Sequence, residues 1–133
     1  MKKLSLLIAV LLVGLLTSAC TSMQKGPLDD KQMSEVVNSK DVTILDARMG
    51  SKWDNKERVP GASGMSLKSS DAEIQSQLPD KNAKIVTYCG SEKCPMSATL
   101  AKRLKGLGYS NVIEYPAGLQ GWKAAGNTIV KVK

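Results

Sequence analysis

Apolar residues recur at helical spacing in the clearest segment of the chain. Met96, Leu100, Leu104 and Leu107 fall on one stripe, and Lys102, Arg103 and Lys105 fall on the opposite face. This pattern predicts a helix over residues 96–107, stripe inward and basic face solvated, ended by Gly108. Met33, Val36 and Val37 at i, i+3 and i+4 predict a helix over residues 29–39. Residues 70–78 predict another, capped by Ser70 or Asp71, with Ile74 and Leu78 on one face and Pro79-Asp80 as its breaker. Between them lie short apolar runs, Val42-Thr43-Ile44-Leu45, Ile85-Val86-Thr87-Tyr88 and residues 111–115, which read as buried strands. Weaker signals predict a brief strand at 64–67, a short helix around 120–125 and an edge strand at 128–132. Residues 46–59 read as a long polar surface connection before the Pro60-Gly61-Ala62 turn. Alternating short strands and helices predict an α/β domain with a small, mainly parallel sheet. In such sheets ligands bind beyond the carboxyl ends of the strands. Asp46 and Cys89 fall there.

The first residues change the picture. Lys2 and Lys3 precede an apolar run at 4–16, and Thr17-Ser18-Ala19 places small residues before Cys20. This is the layout of a secretory signal, and the run is short for a membrane-spanning helix, which needs about 20 residues. Leu16-Thr17-Ser18-Ala19-Cys20 resembles the bacterial lipobox, with Thr17 where that motif usually has Leu. The resemblance implies cleavage before Cys20 and a diacylglycerol on its thiol. Residues 1–19 are then a lipoprotein signal peptide, 20–27 a lipidated cysteine and tether, and 28–133 the folded domain. Thr21 is not the Asp that retains such proteins in the inner membrane. The expectation is therefore an envelope protein facing the periplasm, held preferentially at the outer membrane.

Removing residues 1–19 leaves 114 residues, enough for one small core. Only Lys2 and Lys3 go with them, so the net charge falls from +7 to +5. Such modest basicity suits a small anionic substrate or an anionic membrane surface. The lysines are scattered without a basic block, which argues against nucleic acid. There is no histidine, hence neither the commonest general base nor the commonest metal ligand. Beyond Cys20, the thiols are Cys89 and Cys94. A bond between them would close too small a loop to be a useful staple, so a chemical or redox role is favoured. Two cysteines without histidine leave a zinc set incomplete, and no metal or other cofactor is expected.

Cys89 stands between a strand-like run and a helix-like run. Backbone N–H groups and a helix N-terminus there favour negative charge and a nucleophilic thiolate. Several further segments, in order, complete a resemblance to the single-domain rhodanese (sulfurtransferase) family. They are Ile44-Leu45-Asp46-Ala47-Arg48 for its D-x-R, the aromatic Trp53, and Arg58-Val59-Pro60-Gly61-Ala62 for its G-H-I-P-G-A. Ile85-Val86-Thr87-Tyr88-Cys89 matches the catalytic strand, and Leu107-Gly108-Tyr109-Ser110-Asn111-Val112 the exit from the active-site helix. Ala117-Gly118-Leu119-Gln120-Gly121-Trp122 resembles the terminal G-G-x-x-x-W. The resemblance implies a small, mainly parallel sheet flanked by helices on both faces. It implies catalysis by Cys89, which takes sulfur from thiosulfate or a persulfide as Cys–S–S⁻ and passes it to cyanide or a thiol. Gly90, Ser91, Glu92, Lys93, Pro95 and Met96 would form the binding loop, and Asp46 and Arg48 would brace it. Trp53 and Trp122 read as core or rim packing.

Three departures stand out. Arg58 replaces the usual histidine. The ordinary C-R-x-G-x-R-S loop has Gly90 in place of its first arginine and Cys94 in place of its second. Gly108-Tyr109 lies about two positions further from the cysteine than usual, so the loop is longer. Cys94 reads either as a resolving thiol, attacking a Cys89 persulfide, or as a small packing residue. Three functions remain open: a membrane-anchored sulfurtransferase, a thiol–disulfide protein using Cys89 and Cys94, and a non-catalytic binding module. A monomer is expected.

Overall fold

The computed structural model describes residues 26–133. The expected signal segment and Cys20 lie outside the described residues. Helix α1 spans Asp30–Ser39. It starts with a reciprocal cap in which the Gln32 N–H donates to Asp29 Oδ1 at 2.8 Å and the Asp29 N–H donates to Gln32 Oε1 at 3.0 Å. Strands β1 (Thr43–Asp46), β2 (Glu57–Arg58) and β3 (Ser63–Gly64) follow, then α2 (Asp71–Gln77), which begins with a Ser70–Glu73 capping box. Next come β4 (Lys84–Tyr88), α3 (Met96–Gly106), β5 (Asn111–Tyr115), α4 (Gly118–Ala124) and β6 (Val130–Lys131).

The main sheet has the order β3-β1-β4-β5, with every pairing parallel. Its register places Asp46 opposite Tyr88 and Tyr88 opposite Tyr115. The segments leaving β1, β4 and β5 therefore emerge side by side at one edge of the sheet. Strands β2 and β6 form a separate antiparallel pair, so the expected C-terminal edge strand lies outside the main sheet.

Alternate residues of the strands feed two cores, as the pleat requires. Leu45, Ile85 and Val112 pack with Ile74 of α2 and with Leu100, Ala101 and Leu104 of α3. Ile44, Val86 and Ile113 pack with Met33 of α1 and with Leu119 and Trp122 of α4. Helices thus cover both faces. Of the α3 stripe, Leu100 and Leu104 are fully buried, while Met96 and Leu107 flank the core.

Several details differ from the sequence reading. Residues 46–59 are not wholly a surface connection, because Asp46, Ala47, Arg48, Arg58 and Val59 are buried. The brief strand sits at Ser63–Gly64, where it pairs with Leu45 and Asp46. Arg103 is not simply solvated: it donates to the carbonyls of Leu67 at 3.1 Å and Ser69 at 2.7 Å, and pairs with Asp71 at 2.6 Å. The end of α3 is thereby tied to the segment that starts α2. No helix among the described residues is long and apolar enough to cross a membrane.

Candidate functional site

The site forms where β4 ends. Cys89 directly follows Tyr88 and is 1% exposed. Its backbone is clamped from α4: the Leu119 N–H donates to the Cys89 carbonyl at 2.8 Å, and the Gln120 N–H to the Gly90 carbonyl at 2.9 Å. Gly118 makes this approach possible. Its φ is +64°, and a Cβ there would lie 2.6 Å from the Cys89 oxygen and 2.9 Å from the Ser91 nitrogen. Only glycine meets both demands without strain.

The loop then turns, with the Cys94 N–H donating to the Ser91 carbonyl at 3.0 Å. The N–H groups of Gly90, Ser91, Glu92 and Lys93 make no hydrogen bond within the described residues. Helix α3 starts at Met96 after Pro95, with no side-chain cap, so the N–H groups of Met96, Ser97 and Ala98 also have no acceptor among the described residues. Unpartnered donors on one loop, followed by a helix N-terminus, favour negative charge held in that loop.

Cys89 and Cys94 are joined as a disulfide, with 6.2 Å between their Cα atoms. Both line a cleft of about 680 Å³, together with Gly90, Ser91, Lys93, Pro95 and Met96. Glu92 belonged to the expected binding loop, but it is exposed at the tip of the turn and does not line the cleft.

Arg48 also lines the cleft, beside Gly90, and its hydrogen bonds go to residues 46–57 rather than to the loop it was expected to brace. Arg48 binds Asp46 through two bonds, Nε to Oδ1 at 3.0 Å and a terminal nitrogen to Oδ2 at 2.7 Å. The same guanidinium donates to the Glu57 carbonyl at 2.5 Å and to Asn55 Oδ1 at 2.9 Å. It therefore holds residues 53–57 as one wall of the cleft. Arg58, in the place where the family has histidine, is buried and shares Asp46 at 3.4 Å while pairing with Asp54 at 2.7 Å. Two guanidiniums and two carboxylates thus compensate one another out of water. The hydrogen bond from Arg58 holds Asp54 well below the usual carboxylate range. Burial, reinforced by the Asp46 charge, pushes the Tyr88 hydroxyl up, so it stays neutral and accepts the Val59 N–H at 3.1 Å.

Trp53, Glu57 and Lys123 also line the cleft, and of these only Trp53 carried an expectation, core or rim packing. Trp53 is 63% exposed at the rim, which excludes core packing for it, and the Lys52 ammonium lies 4.8 Å from its ring centroid. Trp122, by contrast, is buried. Glu57 and Lys123 pair at 2.8 Å, joining the 53–57 wall to α4, and Lys123 holds the Glu57 carboxyl below its ordinary range. The 117–122 motif marked this region but not the contacts of Gly118 or Lys123. Among the described residues no group of three or more His, Cys, Asp or Glu could hold a metal ion.

A family model described as Rhodanese-like domain matches residues 29–125. Among solved structures, the BH2092 protein from Bacillus halodurans superposes with a TM-score of 0.70 at 18% identity, covering 80% of this chain and 77% of that one. The rhodanese-like domain of the Alr3790 protein from Anabaena sp. does so at 0.67 and 22% identity, covering 82% and 81%. A rhodanese with anions from E. coli matches at 0.53 and 28% identity, covering 68% of this chain and 98% of that one. No curated protein matches.

Proposed function

The chain belongs to the rhodanese-like domain family, and we propose that it is an envelope sulfurtransferase carrying sulfane sulfur on Cys89. The observation that carries this reading is the buried Cys89 at the head of a loop whose N–H groups at 90–93 have no acceptor among the described residues. Such a loop favours a thiolate and then the anionic persulfide formed from it. The E. coli rhodanese, described with anions, supports an anionic substrate here. In the reduced enzyme the Cys89 thiolate attacks the outer sulfur of thiosulfate. A new S–S bond forms, the old one breaks, and sulfite leaves with its electron pair. Cyanide or a thiolate then removes the terminal sulfur and returns Cys89. Alternatively the Cys94 thiolate attacks Cys89 Sγ and expels hydrosulfide, which leaves the Cys89–Cys94 disulfide.

We further propose that Cys20 carries a lipid and holds the domain at the periplasmic side of the envelope, preferentially on the outer membrane. The lipobox-like Leu16-Thr17-Ser18-Ala19-Cys20 supports this. Membrane fractionation of cells expressing wild type and Cys20→Ala tests it, and a Cys20→Ala chain that stays membrane-bound would refute it.

The test of chemistry uses the full chain in detergent, reduced and then freed of reductant. Thiosulfate should add the mass of one sulfur atom to Cys89, and cyanide should remove it as thiocyanate. No adduct with thiosulfate or an organic persulfide would sink the proposal. A second reading, thiol–disulfide exchange without sulfur transfer, is favoured by the Cys89–Cys94 bond. It requires reversible loss of the mass of two hydrogens on mild oxidation, and no sulfur adduct under any donor.

A further inference from the structure

The two sulfurs of the disulfide are not equivalent, and we infer that Cys94 is the one an incoming reductant attacks, with an organic thiol as that reductant. This rests on the reading of Cys89 as the reactive sulfur. Cys89 is 1% exposed and its carbonyl is fixed by Leu119. Cys94 is only half-buried and its backbone is held by one turn bond to Ser91. Access therefore favours attack at Cys94.

The leaving group points the same way. In thiol–disulfide exchange the sulfur that departs is the one whose thiolate is better stabilised. The N–H groups of residues 90–93, which have no hydrogen bond among the described residues, directly follow Cys89, whereas the Cys94 N–H is already given to the Ser91 carbonyl; this leaves the Cys89 thiolate the better stabilised of the two. An external thiolate thus bonds to Cys94 Sγ, the Cys89–Cys94 bond breaks, and Cys89 leaves as a thiolate. A second thiolate then attacks the external sulfur and releases Cys94. The two electrons come from two thiols, which depart as their own disulfide. This order regenerates the nucleophile in the first step rather than the second.

The cleft beside the bond selects the reductant. Its volume of about 680 Å³ is room for roughly twenty waters, far more than a small inorganic anion fills. Trp53, Pro95, Met96 and Leu119 give it apolar wall, and Lys93 lines it as a cation. An organic thiol with an apolar or carboxylate-bearing body occupies this space; bare hydrosulfide does not.

The experiment takes the full chain in detergent, oxidised and confirmed as the disulfide by mass. Excess glutathione is added, and aliquots are quenched with acid and N-ethylmaleimide, then digested without reductant. Glutathione should be found on Cys94 and maleimide on Cys89, at least tenfold over the reverse species. Equal amounts, or glutathione mainly on Cys89, would overturn the assignment. Faster opening by hydrosulfide than by glutathione at equal thiolate concentration would overturn the choice of reductant. A chain that opens in this order yet takes no sulfur from thiosulfate keeps this inference and loses the sulfurtransferase reading.

Discussion

Gly118 lies against the carbonyl of Cys89 so closely that a single added carbon would stand 2.6 Å from that oxygen. The backbone of Cys89 and the start of α4 are consequently one unit. Gly118→Ala adds left-handed strain of about 1–2 kcal/mol and a clash of about 1–3 kcal/mol. We expect a fall in unfolding free energy within those bounds, measured by denaturant titration. We also expect slower persulfide formation on Cys89 in the molecules that remain folded. A variant as stable and as fast as wild type would show that the clamp is dispensable.

Asp46 serves two buried guanidiniums, Arg48 at 2.7 Å and Arg58 at 3.4 Å. Asp46→Ala leaves both near-fully buried cations short of a counter-charge, a loss of the kind that costs about 3–5 kcal/mol. The same change frees the wall at residues 53–57 that Arg48 holds. Urea unfolding should show the lower midpoint with an unchanged slope. A loss below 1 kcal/mol would mean that Asp54 and the backbone carbonyls satisfy both arginines alone.

Acid should loosen the same network. Asp54 is held below its ordinary pKa by Arg58, so the folded state binds its proton less readily than the unfolded chain does. Its contribution is complete above the unfolded carboxylate value near pH 4 and is lost as pH falls towards the depressed folded value. Stability followed from pH 6 to pH 2 should decline, and Asp54→Asn should flatten that limb while lowering stability at pH 6. An equally steep acid limb in Asp54→Asn would assign the decline to other carboxylates.

The two cysteines should separate cleanly in assays. Cys89→Ser should take up no sulfur. Cys94→Ser should form the persulfide and pass it to cyanide, because the attacking atom is intact. Its release of hydrosulfide without an external thiol should fall by about tenfold or more, since the internal attack is gone. Undiminished hydrosulfide release from Cys94→Ser would reduce Cys94 to a packing residue.

What the sequence disclosed was set by range. Repeating patterns marked α1 to α3 and β1, β4 and β5, because each depends on neighbours three or four, or two, positions away. Cys89 was legible for the same reason, standing between one strand and one helix. The contacts that complete the site join distant segments. Gly118 is required to be glycine by an oxygen on residue 89. Arg103 reads as a solvated cation on its own helix, yet it binds carbonyls at 67 and 69. Lys123 and Glu57 meet although 66 positions separate them in the sequence. For Trp53 the residue type left core and rim open, and the structure puts it exposed at the rim, on the wall whose carbonyl at 53 accepts from Arg48.

The Cys89–Cys94 bond has one more consequence. Peroxide attacks thiolates, and a sulfur driven to sulfinic or sulfonic acid is lost to catalysis. A Cys89 tied to Cys94 presents no thiolate, so under the proposed chemistry the disulfide form is shielded from irreversible oxidation. The extra cysteine in the loop is then a guard on the nucleophile as well as its partner, and the reductant that opens the bond decides when the sulfur is put at risk.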